Sequence, residues 1–413
     1  MKKLAFRIVA LAFSWAVIEL FSFAALKIYF PSPVTALRPL GSQAANIFRP
    51  NSRLDHHVHP FLGFVLKSQA ASAKYGWNEF GFMDNQTPIV KRSPDKVIVA
   101  LTGGSVANQL SQFAADPLLA ELGKSPLFQD REIRLVKLGL NGFRQPQQLM
   151  TLAWFLALGG EFDVVINLDG FNEIYLQPYA NTGFFHAYPA MWPYGVSNLP
   201  EREYGEYQFR LAQEREFVDG LYKSRAHHSP LLRLMMRFFH RRLRWDIAQA
   251  EQTVVREARI PEWAKGPRRE YVSRLEASRE SVGLWRRASL QIAALCTAHG
   301  ARYFHLLQPN QYVEGSKPMG AAERRIAIDP EQSFAEAARI GYPLLIEAGR
   351  ELIRRGVLFA DLTRIYADHP EPVYGDACCH FNEHGRNLLA VAVARFVLDN
   401  FDGSKDGGTQ QPE

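Results

Sequence analysis

The sequence predicts an α/β fold built on a parallel sheet with helices on both faces. Short apolar runs rich in branched residues recur at 97–101, 133–138, 163–168, 303–307 and 357–360, and helical stretches at 147–158 and 383–401 alternate with them or follow them. Near-continuous apolar strands of that length, with no polar alternation, belong to sheets covered on both sides. The first three runs each end in a turn of small and polar residues, Thr102-Gly103-Gly104-Ser105, Gly139-Leu140-Asn141-Gly142 and Asp169-Gly170-Phe171-Asn172-Glu173. In such sheets ligands gather at the carboxyl ends of the strands, so these turns are the first place to look for chemistry.

Ahead of the sheet, residues 8–26 are apolar apart from Ser14, Glu19 and Ser22, close to the roughly 20 residues that span a bilayer as a helix. Met1, Lys2, Lys3 and Arg7 precede the run, which favours a cytoplasmic N-terminus with the remainder outside the cytoplasm, in the periplasm. The run exceeds the roughly 7–15 residues of a signal core, so an uncleaved single-pass anchor is favoured over a signal cleaved near Ser22-Phe23-Ala24. Glu19 is costly in hydrocarbon unless protonated or matched by a partner, and contact with another membrane protein is one way to match it.

The expected organisation is an anchor over 1–30, a linker and extended lead-in over 31–95, a core of 96–174 and 301–402, an inserted aromatic and basic helical cap over 175–300, and a disordered tail over 403–413. His56, His57 and His59 in the lead-in read as a polar loop, because a complete metal site needs further ligands. The formal net charge of +6 is uneven: residues 221–300 hold sixteen Lys and Arg against seven acids, a local surplus of nine. Such a block suits anionic headgroups or an acidic polymer, and more commonly a solvated helix face; no nucleic-acid motif accompanies it. Within it, Leu231, Leu232, Leu234, Met235, Phe238, Phe239 and Leu243 alternate with arginines, as in a helix packing on the core or lying on a membrane. Cys296, Cys378 and Cys379 show no zinc spacing and are expected as buried thiols or as one bridge from Cys296 to the adjacent pair.

Three turns thus deliver a hydroxyl from Ser105, a backbone donor at Gly142 and a side-chain amide donor from Asn172 to one sheet edge. These are the parts of a nucleophile with an oxyanion hole. The turn is not the G-x-S-x-G elbow, since Ala107 stands at its second Gly. A base is supplied by His380, just before the last helix, with Asp376 as the local carboxylate to fix its tautomer.

Together these residues resemble the SGNH (GDSL-like) hydrolase superfamily, whose blocks contribute Ser, Gly, Asn and His in that order. The matches are Gly103-Gly104-Ser105, Asn141-Gly142, Gly170-Phe171-Asn172-Glu173, and Asp376 with His380. The resemblance implies a three-layer, flavodoxin-like fold with a parallel sheet, to which this chain adds the inserted helical cap and the N-terminal transmembrane helix. It also implies catalysis by Ser105, His380 and Asp376, with an oxyanion hole of Ser105, Gly142 and Asn172, and no metal or other cofactor. Gly104 stands where the commonest first block has Asp, and Glu173 where the third often has Asp. The last block is usually D-x-x-H, whereas here Asp376 precedes His380 by four positions; a turn absorbs the extra residue, or a backbone carbonyl takes over the orienting role.

The expected function is therefore a serine-dependent ester hydrolase or O-acyltransferase acting on an acylated envelope substrate, a polysaccharide in the first instance. The alternatives are a lipid esterase and a non-catalytic SGNH-fold subunit of an envelope polysaccharide complex. The partners expected are an ester-bearing carbohydrate and the membrane, through residues 8–26.

Overall fold

The computed structural model describes residues 2–29, 56–66, 77–126, 128, 130–180, 185–190, 192, 201–223, 229–257, 262–267 and 269–401. The expected linker and tail lie outside these residues. The chain divides into two compact units, one of residues 1–52 and 197–260, the other of residues 53–196 and 261–413.

The larger unit holds a five-stranded, wholly parallel sheet: β3 (Lys96–Gly103), β4 (Glu132–Gly139), β5 (Val164–Asp169), β6 (Arg302–Leu307) and β7 (Leu358–Asp361), in the order β4-β3-β5-β6-β7. All six residues of β5 and seven of the eight in β3 are buried, which is why these strands read as unbroken Val, Ile and Leu. Relative to one another the strands run 2-1-3-4-5, the flavodoxin-like order, in which the chain winds first one way and then the other. The reversal opens a crevice between the carboxyl ends of β3 and β5. Ser105 follows the first of these strands and Asn172 the second.

Neighbouring residues of β6 show the two layers. Phe304 meets Phe396 of α11 (Glu383–Phe401) edge-on, while His305 lies against Trp285 of α8 (Arg274–Ala298), because successive strand side chains point to opposite faces. On the first side α11 packs with α2 (Ser105–Phe113) and α3 (Ala115–Leu122). On the second, α8 packs with α4 (Gln147–Ala157) and α10 (Phe334–Arg354). A short α5 (Phe171–Tyr175) opens directly from the β5 turn.

This corrects the expected extent of the insertion, 175–300. Helix α8 buries Ala277, Trp285, Ala288 and Ile292 in the core and leads directly into β6, so it is a layer of the sheet domain. Its arginines lie on the outer face. Of the two alternatives for the cysteines the free thiols are the one seen: Cys296 and Cys379 are buried and Cys378 is half-buried, and burial pushes the Cys296 thiol up to about 12. In the lead-in, β1 (His56–His59) and β2 (Gly63–Leu66) form a hairpin. His59 Nδ1 accepts the N–H groups of Phe61 and Leu62 at 3.2 and 3.1 Å, which makes this imidazole the cap of the turn; the side chains of His56 and His57 are outside the described set.

In the smaller unit α1 (Lys2–Tyr29), α6 (Glu201–Lys223) and α7 (Pro230–Glu257) are long helices. Among the described residues no helix is long and apolar enough to cross a membrane; the side chains of residues 1–12, which include the start of the expected 8–26 span, are not among them. Glu19 has a partner within its own chain. Its carboxylate accepts the Ser229 hydroxyl at 2.5 Å and the Leu231 N–H at 2.8 Å, capping the N-terminus of α7, where unpaired N–H groups and the helix dipole favour a negative charge. Glu214 on α6 meets His240 Nε2 at 3.0 Å and Arg244 at 3.3 Å on α7. Leu232, Met235, Phe238 and Phe239 of α7 stay exposed, as do Phe13, Trp15, Leu20 and Phe21 of α1.

Beneath the carboxyl end of β5 a buried carboxylate joins the layers. Asp169 accepts the Trp285 indole N–H at 2.7 Å, faces His305 Nε2 at 2.9 Å and accepts the Asn167 amide at 2.7 Å; Ser289 Oγ completes the row at 2.8 Å from His305 Nδ1. Serine, imidazole and carboxylate line up here too, yet His305 is fully buried, so no substrate reaches it. Asp169→Ala strands several buried donors at once and should cost about 3–5 kcal/mol, read as a lower midpoint in denaturant unfolding with an unchanged slope.

Candidate active site

The β3 turn positions the hydroxyl. Gly104 is the N-cap residue of α2 and Ser105 is its first helical residue, so the Ser105 N–H is among the orphan donors at the positive end of the helix. Gly104 has a steric reason: a Cβ there would lie 2.4 Å from Asn172 Nδ2 and 3.1 Å from the Phe143 carbonyl oxygen. The absent side chain lets the β5 turn close over the β3 turn. Asn172 Nδ2 in turn donates to Phe143 O at 2.8 Å, which fixes the amide and leaves its second hydrogen for another acceptor. The β4 turn is closed by a Phe143 N–H bond to Leu140 O at 3.1 Å, with Gly142 at φ +77°, a left-handed conformation that glycine adopts without strain. Asn108 of α2 donates to the Asn141 side chain at 3.1 Å, joining this turn to the first.

His380 and Asp376 meet this edge. His380 Nε2 is 2.7 Å from Ser105 Oγ, and His380 Nδ1 is 2.5 Å from Asp376 Oδ2. The four-residue spacing is resolved by the other carboxylate oxygen: Asp376 Oδ1 accepts the N–H groups of Cys378, Cys379 and His380 at 2.9, 3.1 and 3.2 Å. The intervening residues wrap around the carboxylate and return the histidine to it, so a backbone carbonyl is not needed for orientation. Of the five sequence-predicted residues, Ser105 and Asn172 lie at the start of the helices after β3 and β5, Gly142 lies in the turn after β4, and Asp376 and His380 lie in the chain between β7 and α11.

Electrostatics follow from this packing. Burial pulls the His380 imidazole toward its neutral form, but the hydrogen bond and charge of Asp376 outweigh it and hold His380 above the ordinary histidine value. For Asp376, burial raises and the His380 contacts with the backbone N–H groups lower, with the net result below the usual carboxylate range. Glu173 behaves oppositely. Its oxygens accept the N–H groups of Gln145 and Gly170, each at 3.0 Å, tying the β4 loop to the β5 turn, while burial and then the Asp169 charge push it up to about 8.

Two supports were not visible in the sequence. In the loop after β6, Asn310, Gln311 and Tyr312 donate to the carbonyls of Cys378, Asp376 and Ala377 at 3.4, 3.1 and 2.8 Å, so three successive residues hold three successive peptide oxygens of the Asp376 turn. Further on, Lys317 and Glu323 form an ion pair at 3.2 Å with side-chain exposures of 0% and 1%, and Glu323 Oε1 accepts the N–H groups of Val373 and Tyr374 at 2.7 and 3.0 Å. Lys317 and Glu323 are six positions apart, but the peptide groups that the two supports hold lie about fifty to sixty-eight positions away, and no local pattern announces them.

No protein-family model matches the chain, and no curated protein matches it. Among solved structures it is similar to a catalytic mutant of Axe2, an acetylxylan esterase from Geobacillus stearothermophilus, with 10% identity and a TM-score of 0.32 over 74% of this chain and 95% of that one.

Replacing Tyr312 by Phe removes one carbonyl tether and should cost about 1 kcal/mol. Amide hydrogen exchange at Cys378, Cys379 and His380 should quicken, while exchange in β3 and β5 stays as it was.

Proposed function

We propose that the chain is a serine-dependent ester hydrolase or O-acyltransferase of the SGNH type, with Ser105 as nucleophile, His380 as base and Asp376 as the group that orients the imidazole. The carrying observation is the unbroken row from Asp376 Oδ2 to His380 Nδ1 and from His380 Nε2 to Ser105 Oγ, at 2.5 and 2.7 Å, beside an amide donor and a helix N-terminus.

In this reading Ser105 Oγ attacks the ester carbonyl as its proton passes to His380 Nε2, and Asp376 stabilises the imidazolium that forms. The tetrahedral oxyanion is met by the Ser105 and Gly142 N–H groups and the second Asn172 amide hydrogen, each worth about 3 kcal/mol in the transition state. Collapse expels the alcohol, which takes its proton from His380, and leaves an acyl-serine. Water then gives hydrolysis, and a sugar hydroxyl gives transfer.

The membrane and the substrate class belong to the same proposal. The 28 residues of α1 reach about 42 Å as a helix, positive residues precede its apolar run, and Phe13, Trp15, Leu20 and Phe21 are exposed on it; these support a single-pass attachment through residues 8–26, with the hydrolase unit on the periplasmic side. An acylated envelope polysaccharide is the substrate that fits this position.

A fluorophosphonate probe should label the full-length protein in carbonate-washed membranes, and Ser105→Ala should abolish labelling. A folded native protein that takes no label speaks instead for a non-catalytic binding subunit. Because only neutral His380 can accept the serine proton, kcat/KM on an aryl acetate should rise with pH to a midpoint above about 6.5. Asp376→Asn should lower that midpoint and cut the rate about 10³-fold or more.

A further inference from the structure

The chain between His369 and His384 doubles back on itself, with Asp376 and His380 at its turn. Tyr374 and Phe381 form an antiparallel bridge, Gly375 N–H donates to His380 O at 2.8 Å, and Asn382 N–H donates to Val373 O at 2.8 Å. At the open end of this hairpin stand His369 and Glu371 on the incoming arm and His384, in the first turn of α11, on the outgoing arm. One nitrogen from each imidazole and one carboxylate oxygen of Glu371 lie within 4.8 Å of one another, and the two imidazole centroids are 6.4 Å apart at an interplanar angle of 74°.

We propose that His369, Glu371 and His384 bind a divalent cation of the zinc type, which staples together the two arms of the hairpin that carries Asp376 and His380. Two imidazoles and one carboxylate are a donor set that zinc takes with a fourth position open to water, and at its usual bond lengths tetrahedral donors stand about 3.3 Å apart. Closing from 4.8 Å to that spacing takes only side-chain rotation, since Glu371 and His384 are exposed and His369 is half-buried. The backbone beneath them is already fixed. Lys317 Nζ donates to His369 O at 2.5 Å, Asn382 Nδ2 to Pro372 O at 2.7 Å, and Gly385 N–H to Asn382 Oδ1 at 2.9 Å, so the three donors are presented from held peptide units on both arms.

The neighbouring group of Cys378, Cys379 and His380 has similar spacing, and its Sγ atoms are 3.3 Å apart. Both nitrogens of His380 are engaged there, with Asp376 and Ser105, so a cation at that place would have to dismantle the row. At the hairpin base neither imidazole carries such a duty among the described residues. Binding at the base is independent of whether Ser105 is a nucleophile; only its effect on activity, through the position of the turn, rests on the proposed hydrolase.

The test uses the full-length chain, stripped with a chelator and titrated with Zn2+ by calorimetry and with Co2+ by absorption. One equivalent should bind, Co2+ should develop the visible bands of a low-coordinate N,O site without sulfur charge transfer, and Zn2+ should raise the melting temperature. Glu371→Gln and His384→Asn, at exposed positions that leave the fold intact by circular dichroism, should each weaken binding at least tenfold, whereas Ser105→Ala and Cys378→Ser should bind as the native chain does. Absence of binding, binding unchanged in both hairpin-base variants, or binding lost in Cys378→Ser would overturn the proposal. Because Ser105→Ala retains the site, a failed zinc titration and a failed fluorophosphonate labelling are separate results.

Discussion

The Asp376 carboxylate holds two systems together. One oxygen gathers the N–H groups of three successive residues, and the other meets the His380 imidazole. Hydrogen bonds to an ionised acceptor are short and stronger than neutral ones, so the same charge that folds the turn also sets the ring. The peptide carbonyls of that turn point the other way, into the side chains of Asn310, Gln311 and Tyr312. With donors drawn inward and acceptors drawn outward, the turn has little freedom left, and the imidazole reaches Ser105 from a loop outside the sheet.

Under that surface lies a layer of buried polar groups. Asp169 and Glu173, at the two ends of one turn, divide the work: Asp169 binds the α8 and β6 side chains, and Glu173 binds the backbone of the β4 and β5 turns. Burial, and after it the charge of Asp169, is why Glu173 holds its proton to about 8. The arrangement ties the turns that carry Gly142 and Asn172 to one another through Glu173.

Much of this was legible in the sequence, for definite reasons. The strands were, because both their faces are covered and their residues are accordingly apolar throughout. The turns were, because a parallel sheet presents its strand ends together and the residues there are small or polar where the strands are apolar. Helix α8 was misassigned to the insertion because its outer arginines masked the spacing of Ala277, Trp285 and Ile292. Asp376 could be named as the partner of His380, with a backbone carbonyl as the alternative, since a four-residue separation says nothing of a turn wound around a carboxylate. Glu19 stood out as an anomaly, and its partner lies 210 positions away, beyond any local pattern. Nothing in the sequence marks Lys317 and Glu323, which are sealed together in the structure.

The hydroxyl and the imidazole are 275 positions apart, and the second of them sits on the last hairpin before α11, the helix that closes over α2 and α3. During synthesis the β3 turn therefore leaves the ribosome long before its counterpart exists. A chain arrested anywhere upstream of residue 380 has the Ser105 hydroxyl without the imidazole it meets in the folded protein, so that pairing forms only after the last hairpin has been made.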